Sequence, residues 1–229
     1  KKSVNESIQL PLSYYKNNLV GAFNIIKHAI NYEVSNFIFS SSATVYSPDA
    51  SMPVNEDSST GTIQTPYGRS KKQIEEILTD IVTSGIKLNV AILRYFNPAG
   101  AHPSGLIGES PKGKPNNLVP IVSKAAAGLI DEILIYGDDY KTKDGTGVRD
   151  YIHVVDLAKG HISALEKIIS SSGINTWNLG TGYGVSVMEL ISAFEEEVGH
   201  PLKKTITKRR EGDRAICYAN VKKSKKELN

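Results

Sequence analysis

The sequence predicts an α/β fold built on a doubly wound parallel sheet. Two continuous apolar strands, around Asn36-Phe37-Ile38-Phe39-Ser40 and from Leu88 to Leu93, each follow a helix-period segment. Such strands, apolar on both faces and alternating with helices, belong to a parallel sheet covered on both sides.

The opening helix is read from Leu12, Tyr15, Leu19, Phe23, Ile26 and Ile30, which recur at helical spacing. A polar stretch rich in Ser, Thr, Pro and Asp occupies 41–65. Pro66 then starts a second helix carrying Ile74, Ile77, Leu78 and Ile81, and Gly85 ends it. Past Arg94 a Pro-, Gly- and Asn-rich stretch runs through Asn117, longer than idle loops usually are. Beyond it the pattern predicts helix over 118–129, strand over 133–136, loop over 137–150, helix over 155–169, strand over 176–179, helix over 186–198 and strand over 204–207.

Composition narrows the class. The 229 residues, 40% hydrophobic and 22% charged, have the balance of an ordinary globular protein. A formal charge of +3 is too small to argue for nucleic acid, and the basic runs at 208–210 and 222–226 read as solvated faces. A single cysteine, Cys217, forms no internal disulfide and suits the cytoplasm. No apolar run predicts a membrane span. The first residues lack both a methionine and a signal-peptide core, so the chain is expected to begin inside a longer protein.

Tyr67 and Lys71, four apart at the start of the second helix, share one helical face. An ammonium beside a phenol favours the phenolate and makes it a general base. The spacing alone does not decide, since Tyr218 and Lys222 repeat it. Tyr67, however, follows a strand and a polar loop, and catalytic groups gather at the carboxyl ends of parallel strands. In that loop Ser42 either partners a substrate hydroxyl or caps a turn.

Gly180-Thr181-Gly182-Tyr183-Gly184 imitates a dinucleotide fingerprint, but Val185 stands where a third glycine is required, so a tight turn is expected. His28, His102, His153, His161 and His200 show no metal-ligand spacing, and Asp156 reads as a first-turn charge.

Taken together, Ser40 to Tyr46, Pro66-Tyr67-Gly68-Arg69-Ser70-Lys71 and Leu93-Arg94-Tyr95-Phe96-Asn97-Pro98 resemble the extended short-chain dehydrogenase/reductase family. The likeness narrows to its UDP-glucose 4-epimerase branch through Ala101-His102-Pro103-Ser104-Gly105, Pro115-Asn116-Asn117-Leu118, the run from Gly145 to His153, and Arg209-Arg210-Glu211-Gly212-Asp213. It implies a partial Rossmann fold with a smaller α/β substrate-binding domain. Residues 1–95 would be the later part of the NAD-binding domain and 96–229 mainly the UDP-sugar domain, with segments near 134–160 returning to the first. It also implies that parts of the family's chain lie before Lys1 and after Asn229.

The implied reaction is reversible NAD-dependent inversion at C4 of UDP-glucose and UDP-galactose. Tyr67 would be the base, Lys71 its helper and ribose anchor, and Ser42 the hydroxyl partner. Lys2, Asn17 and Phe96 match cofactor-contacting positions. Ala43, Thr44, Asn97, Asn117, Leu134, Ile135, Tyr136, Arg149, Arg210 and Asp213 match positions around the UDP-sugar. Cys217, small where some relatives carry tyrosine, implies room for an N-acetyl group and action on UDP-GlcNAc and UDP-GalNAc. A homodimer through the helices at 12–30 and 66–84 is expected, with no metal, nucleic-acid or membrane partner. A related dehydratase is the rival enzyme, but Ala43 and Thr44 stand where that class has an acidic pair. A non-catalytic nucleotide-binding module is the other alternative.

Overall fold

The computed structural model describes residues 1–109, 115–210 and 212–228. Its opening helical stretch is segmented. In α1 (Val4–Gln9) the Ser3 hydroxyl accepts from the Glu6 amide, and Pro11, which has no N–H to continue that ladder, starts α2 (Pro11–Tyr15). A π-helical turn over Lys16–Val20 leads into α3 (Gly21–Asn31). The expected long helix therefore carries a π turn, and Asn17 and Asn18 lie on it.

Next come β1 (Asn36–Ser42), a 3₁₀ turn (Ala43–Val45), α4 (Pro66–Thr83), β2 (Asn89–Tyr95), β3 (Asn97–Ala99), α5 (Leu118–Ala126) and β4 (Ile133–Tyr136). Two short strands, β5 (Val148–Arg149) and β6 (Tyr151–His153), precede α6 (Val154–Ile169) and β7 (Ile174–Leu179). The chain ends through β8 (Val185–Ser186), α7 (Val187–Val198), β9 (Lys204–Thr207), β10 (Ile216–Cys217) and α8 (Lys222–Glu227).

The main sheet has the order β1-β2-β7, all parallel, with Ser42 level with Tyr95 and Tyr95 with Leu179. On one face Phe39, Val90 and Ile92 pack against Ile26 of α3 and Ile74 and Leu78 of α4. On the other, Ala91, Leu93 and Trp177 meet Leu157, Ala164 and Ile168 of α6. Fully buried side chains such as Leu78 and Ile168 contribute about 1.5–3 kcal/mol each. Both faces are covered, as the unbroken apolar strands require.

A second layer is assembled from β4 beside β9, β10-β5-β8 and β3 beside β6. Its core joins Val122, Ile133, Ile135, Ile191 and Leu202. Segments near 134–160 were expected to return to the first domain, and Ile152 and Leu157 pack in the core of the main sheet. β4 pairs with β9, and from Ile152 of β6 through α6 to β7 the chain packs on and completes the main sheet. Among the described residues, no helix is long and apolar enough to cross a membrane.

Candidate active site

The carboxyl ends of β1 and β2 and the first turn of α4 bring the proposed chemical groups together. Thr65 caps α4 by accepting from the Gly68 amide at 3.2 Å, and Pro66 takes the first position, where a missing N–H costs nothing. Gly68 lets this turn approach β1, because a Cβ there would stand 2.7 Å from the Thr44 carbonyl oxygen. Tyr67 is thereby set beside Ser42. The Ser42 hydroxyl also accepts from the Thr44 amide and, at 3.0 Å, from the Thr44 hydroxyl, so this serine caps the turn as well as neighbouring the phenol.

Lys71 lies one turn on. Its Nζ donates to the Ser40 carbonyl oxygen at 2.8 Å and stands 5.0 Å from the Phe39 ring centroid and 5.9 Å from that of Tyr67. Burial works against the expected depression of the phenol by this lysine. Burial pushes the Tyr67 phenol above its ordinary value, and the Ser42 hydroxyl offsets only part of that. Burial likewise pulls the Lys71 ammonium down. The lysine is engaged by a carbonyl and an aromatic face rather than by the phenol oxygen.

Tyr95, which the sequence reading passed over, completes the group. Its hydroxyl donates to Ser40 Oγ at 2.7 Å and meets His161 Nε2, while His161 Nδ1 lies 2.8 Å from the Leu157 carbonyl oxygen. Its place at a strand end inside Arg94-Tyr95-Phe96-Asn97 was the signal available.

Beneath this surface lies a buried polar network. Arg94 forks onto Glu75 through Nε–Oε1 at 3.0 Å and Nη2–Oε2 at 2.8 Å, and Ser41 Oγ donates to the same carboxylate at 2.6 Å. Arg94 Nη1 donates to the Glu56 carbonyl oxygen, and the Glu56 carboxylate accepts from the Asn178 amide. The network fastens α4, β1 and β2 under the site.

The second layer supplies two arginines. Arg149 Nη2 lies 3.1 Å from Asp213 Oδ1, and Arg210 Nε lies 3.1 Å from Oδ2 of the same carboxylate. Tyr136 lies under the Arg210 guanidinium, 4.5 Å from its ring centroid. Leu134 and Tyr136 face one way on β4, whereas Ile135 is buried in the core. Ile135 thus has its backbone rather than its side chain to offer a ligand. Cys217 sits level with Arg149 on the neighbouring strand, its thiol pushed up by burial.

The remaining expected residues are more scattered. Lys2 and Asn117 meet on Glu109, each 3.2 Å from Oε1. Asn17 donates to Asn18, and it is Asn18 that reaches α4, at Ser70 Oγ. The Phe96 ring packs with Ala43 in a buried cluster, and its amide donates to the Leu179 carbonyl oxygen. The Asn97 amide donates to the Asp150 carbonyl oxygen.

The glycine-rich imitation is accounted for by Asp150. This fully buried carboxylate accepts from the amides of Thr181 at 2.7 Å, Gly182 at 3.0 Å and Ala219 at 3.1 Å. A Cβ on Gly180 would lie 2.5 Å from its oxygen. The anion cradled by this turn is the protein's own side chain.

The donor set fits both expected small molecules. Two guanidiniums sharing one carboxylate retain N–H groups for a diphosphate, and the buried Tyr140 Oη, in the field of Arg149, Arg210 and Asp213, has no partner among the described residues. Lys71, Ser40 and Tyr95 form a polar group at the carboxyl end of a parallel sheet, as a nicotinamide ribose needs.

A parallel sheet wound on both faces, with Tyr and Lys one turn apart at its carboxyl edge, defines a nucleotide-dependent enzyme class. The chain belongs to the NAD dependent epimerase/dehydratase family, which it matches over residues 1–180. It is 51% identical over 227 residues to the UDP-glucose 4-epimerase of Bacillus subtilis, covering 99% of this chain and 67% of that protein. With the Homo sapiens UDP-glucose 4-epimerase the identity is 49%, covering 99% and 65%. The crystal structure of the Bifidobacterium longum UDP-glucose 4-epimerase in complex with NAD+ and UDP superimposes with a TM-score of 0.96 at 50% identity, covering all of this chain and 68% of that one. The chain thus spans about two thirds of the length of the relatives it matches.

Proposed function

We propose that this chain forms the catalytic and sugar-binding part of an NAD-dependent UDP-glucose 4-epimerase, which inverts C4 of the hexose in UDP-glucose and UDP-galactose. The observation that carries the reading is the placing of Tyr67 beside Ser42 and one turn from Lys71, in a fold whose second layer offers the Arg149–Asp213–Arg210 cluster.

The Tyr67 phenolate takes the proton of the 4-hydroxyl and later returns it, while Ser42 holds that hydroxyl in line. The chemistry NAD supplies when bound is reversible uptake of a hydride from C4. Lys71, Asn17, Lys2 and the backbone at Phe96 would hold it. Arg149 and Arg210 grip the diphosphate, with Asn97, Asn117, Leu134, Tyr136 and the backbones of Ala43, Thr44 and Ile135 around the nucleotide and sugar. Because the grip falls on the diphosphate, the hexose is free to turn and present its other face. In this reading residues up to 95 serve mainly the cofactor and those after it mainly the sugar.

The substrate range extends to UDP-GlcNAc and UDP-GalNAc, since Cys217 leaves space beside C2 that a tyrosine would fill. The protein acts in the cytoplasm as a homodimer. Supporting the dimer, Leu12, Val20 and Phe23 are exposed, and a groove of about 460 Å³ lined by Leu19, Val20, Phe23 and Ile77 runs between α3 and α4. A single sedimenting monomer at micromolar concentration contradicts it.

The test is conversion of UDP-galactose to UDP-glucose by the holoenzyme, followed by coupling the product to UDP-glucose oxidation. Turnover is expected on both the hexose and N-acetylhexosamine pairs. No conversion of UDP-galactose sinks the reading, and no conversion of UDP-GalNAc sinks its extension.

A further inference from the structure

His161 interrupts the apolar stripe of α6. Leu157, Ala164 and Ile168 are the buried residues of that helix, and with position 161 they occupy the i, i+4, i+7 and i+11 places of one face. An aliphatic side chain would complete the stripe. The histidine instead engages both ring nitrogens. Nδ1 lies 2.8 Å from the Leu157 carbonyl oxygen, and Nε2 meets the Tyr95 hydroxyl, the two rings tilted at 59° with centroids 5.3 Å apart.

This contact is one end of a chain that rounds the sheet. α6 covers one face of it, and α3 and α4 cover the other. Tyr95 ends β2, its hydroxyl lies 2.7 Å from Ser40 Oγ on β1, and the Ser40 carbonyl oxygen accepts from Lys71 of α4. His161, Tyr95, Ser40 and Lys71 thus link four elements at the carboxyl end of the strands. Burial raises the Tyr95 phenol, the Ser40 hydroxyl opposes this and Tyr67 adds to it, so Tyr95 shares the electrostatic surroundings of the proposed base. A phenol has one proton to give, and a carbonyl only accepts, so His161 Nδ1 carries an N–H. With a proton on Nε2 as well, Tyr95 donates to Ser40. With Nε2 bare, Nε2 takes the Tyr95 proton and Ser40 has to donate to Tyr95 in turn. The ring therefore decides which way the exposed Ser40 hydroxyl points its proton. On the epimerase reading, we infer that His161 is a positioning residue for the C4 inversion, acting through Tyr95 to orient the Ser40 hydroxyl at the cofactor edge of the site.

The experiment uses the holoenzyme with His161→Leu, which completes the apolar stripe, and His161→Gln, whose amide restores a donor and an acceptor, each with and without Tyr95→Phe. In His161→Leu, kcat for UDP-galactose is expected to fall about tenfold, with KM, UDP affinity and stability in denaturant undiminished, and His161→Gln is expected to recover most of that loss. In the Tyr95→Phe background His161→Leu should lower kcat no further, because its effect passes through the missing hydroxyl. An unchanged kcat in His161→Leu overturns the inference, as do losses that multiply with Tyr95→Phe or a loss that His161→Gln does not recover. The ring ¹⁵N resonances of His161 give a readout apart from turnover: Nε2 is expected to shift in Tyr95→Phe and in Ser40→Ala, and an Nε2 indifferent to Ser40→Ala breaks the chain. Should His161→Leu not fold, that response decides. Failure of the unmodified enzyme to convert UDP-galactose sinks the epimerase reading instead, and the same resonance then decides whether His161 reaches Ser40.

Discussion

The Lys71 ammonium donates to the Ser40 carbonyl oxygen at 2.8 Å, tying the helix that carries Tyr67 to the last residues of β1. The same lysine is a cation set near the phenol ring, at 5.9 Å from its centroid, in a site where burial raises the phenol.

Replacing it by methionine removes the charge that favours phenolate. With the phenol raised above its ordinary value, the base form gains population as pH rises, so the alkaline-going limb of the kcat profile should move to higher pH by about one unit or more in Lys71→Met. A pH–rate profile checks this, and an unmoved limb contradicts it.

Gly68→Ala places a methyl 2.7 Å from the Thr44 carbonyl oxygen and 2.7 Å from the Ile63 side chain. Backbone is one of the two neighbours, so relief has to come from α4 backing away from β1. A loss of about 1–3 kcal/mol is expected in denaturant titration, together with a fall in kcat as Tyr67 leaves Ser42. Unchanged stability and turnover would show that the approach of α4 is looser than this geometry.

Glu75→Gln leaves Arg94 buried with half its fork unpaired. Breaking a buried pair at one partner costs about 3–5 kcal/mol, whereas exchanging both residues for apolar ones of similar volume costs much less. Denaturation of the single and double variants measures the difference, and a single variant as stable as the parent is the contrary result.

How far the sequence reads depends on whether contacts are local. Tyr67 and Lys71 were legible because helical period puts positions four apart on one face, and Phe37 to Phe39 and 88–93 because strands covered on both sides are apolar throughout. β5, β8 and β10, of two residues each, are too short for any period. Their pairing nevertheless sets Arg149 beside Cys217. The meeting of Arg149 with Asp213, 64 positions on, is a tertiary fact that only resemblance suggested. Glu75 gave a faint signal as a charge beside Ile74 and Leu78 on α4, yet its partners Ser41 and Arg94 come from different strands. The glycine-rich turn at 180–184 was read as structural, but Asp150 as the anion filling it was not foreseen.

Arg149→Ala and Arg210→Ala should each weaken UDP binding by about tenfold to a hundredfold, the worth of a charge-assisted pair to phosphate. Each variant leaves Asp213 with one of its two partners, so simple collapse of the cluster is not the expected cause. Titration calorimetry with UDP measures it, and unchanged affinity would remove these residues from the diphosphate site.

The central claim is that the Tyr67 hydroxyl moves the proton while other groups hold the nucleotide. The most direct measurement is turnover of UDP-galactose alongside UDP affinity in the holoenzyme carrying Tyr67→Phe. The substitution deletes one oxygen next to Ser42 and leaves Arg149, Arg210 and Asp213 untouched. A fall in kcat of about a hundredfold or more with UDP affinity unchanged is predicted. Turnover close to that of the unmodified enzyme would contradict the assignment of Tyr67.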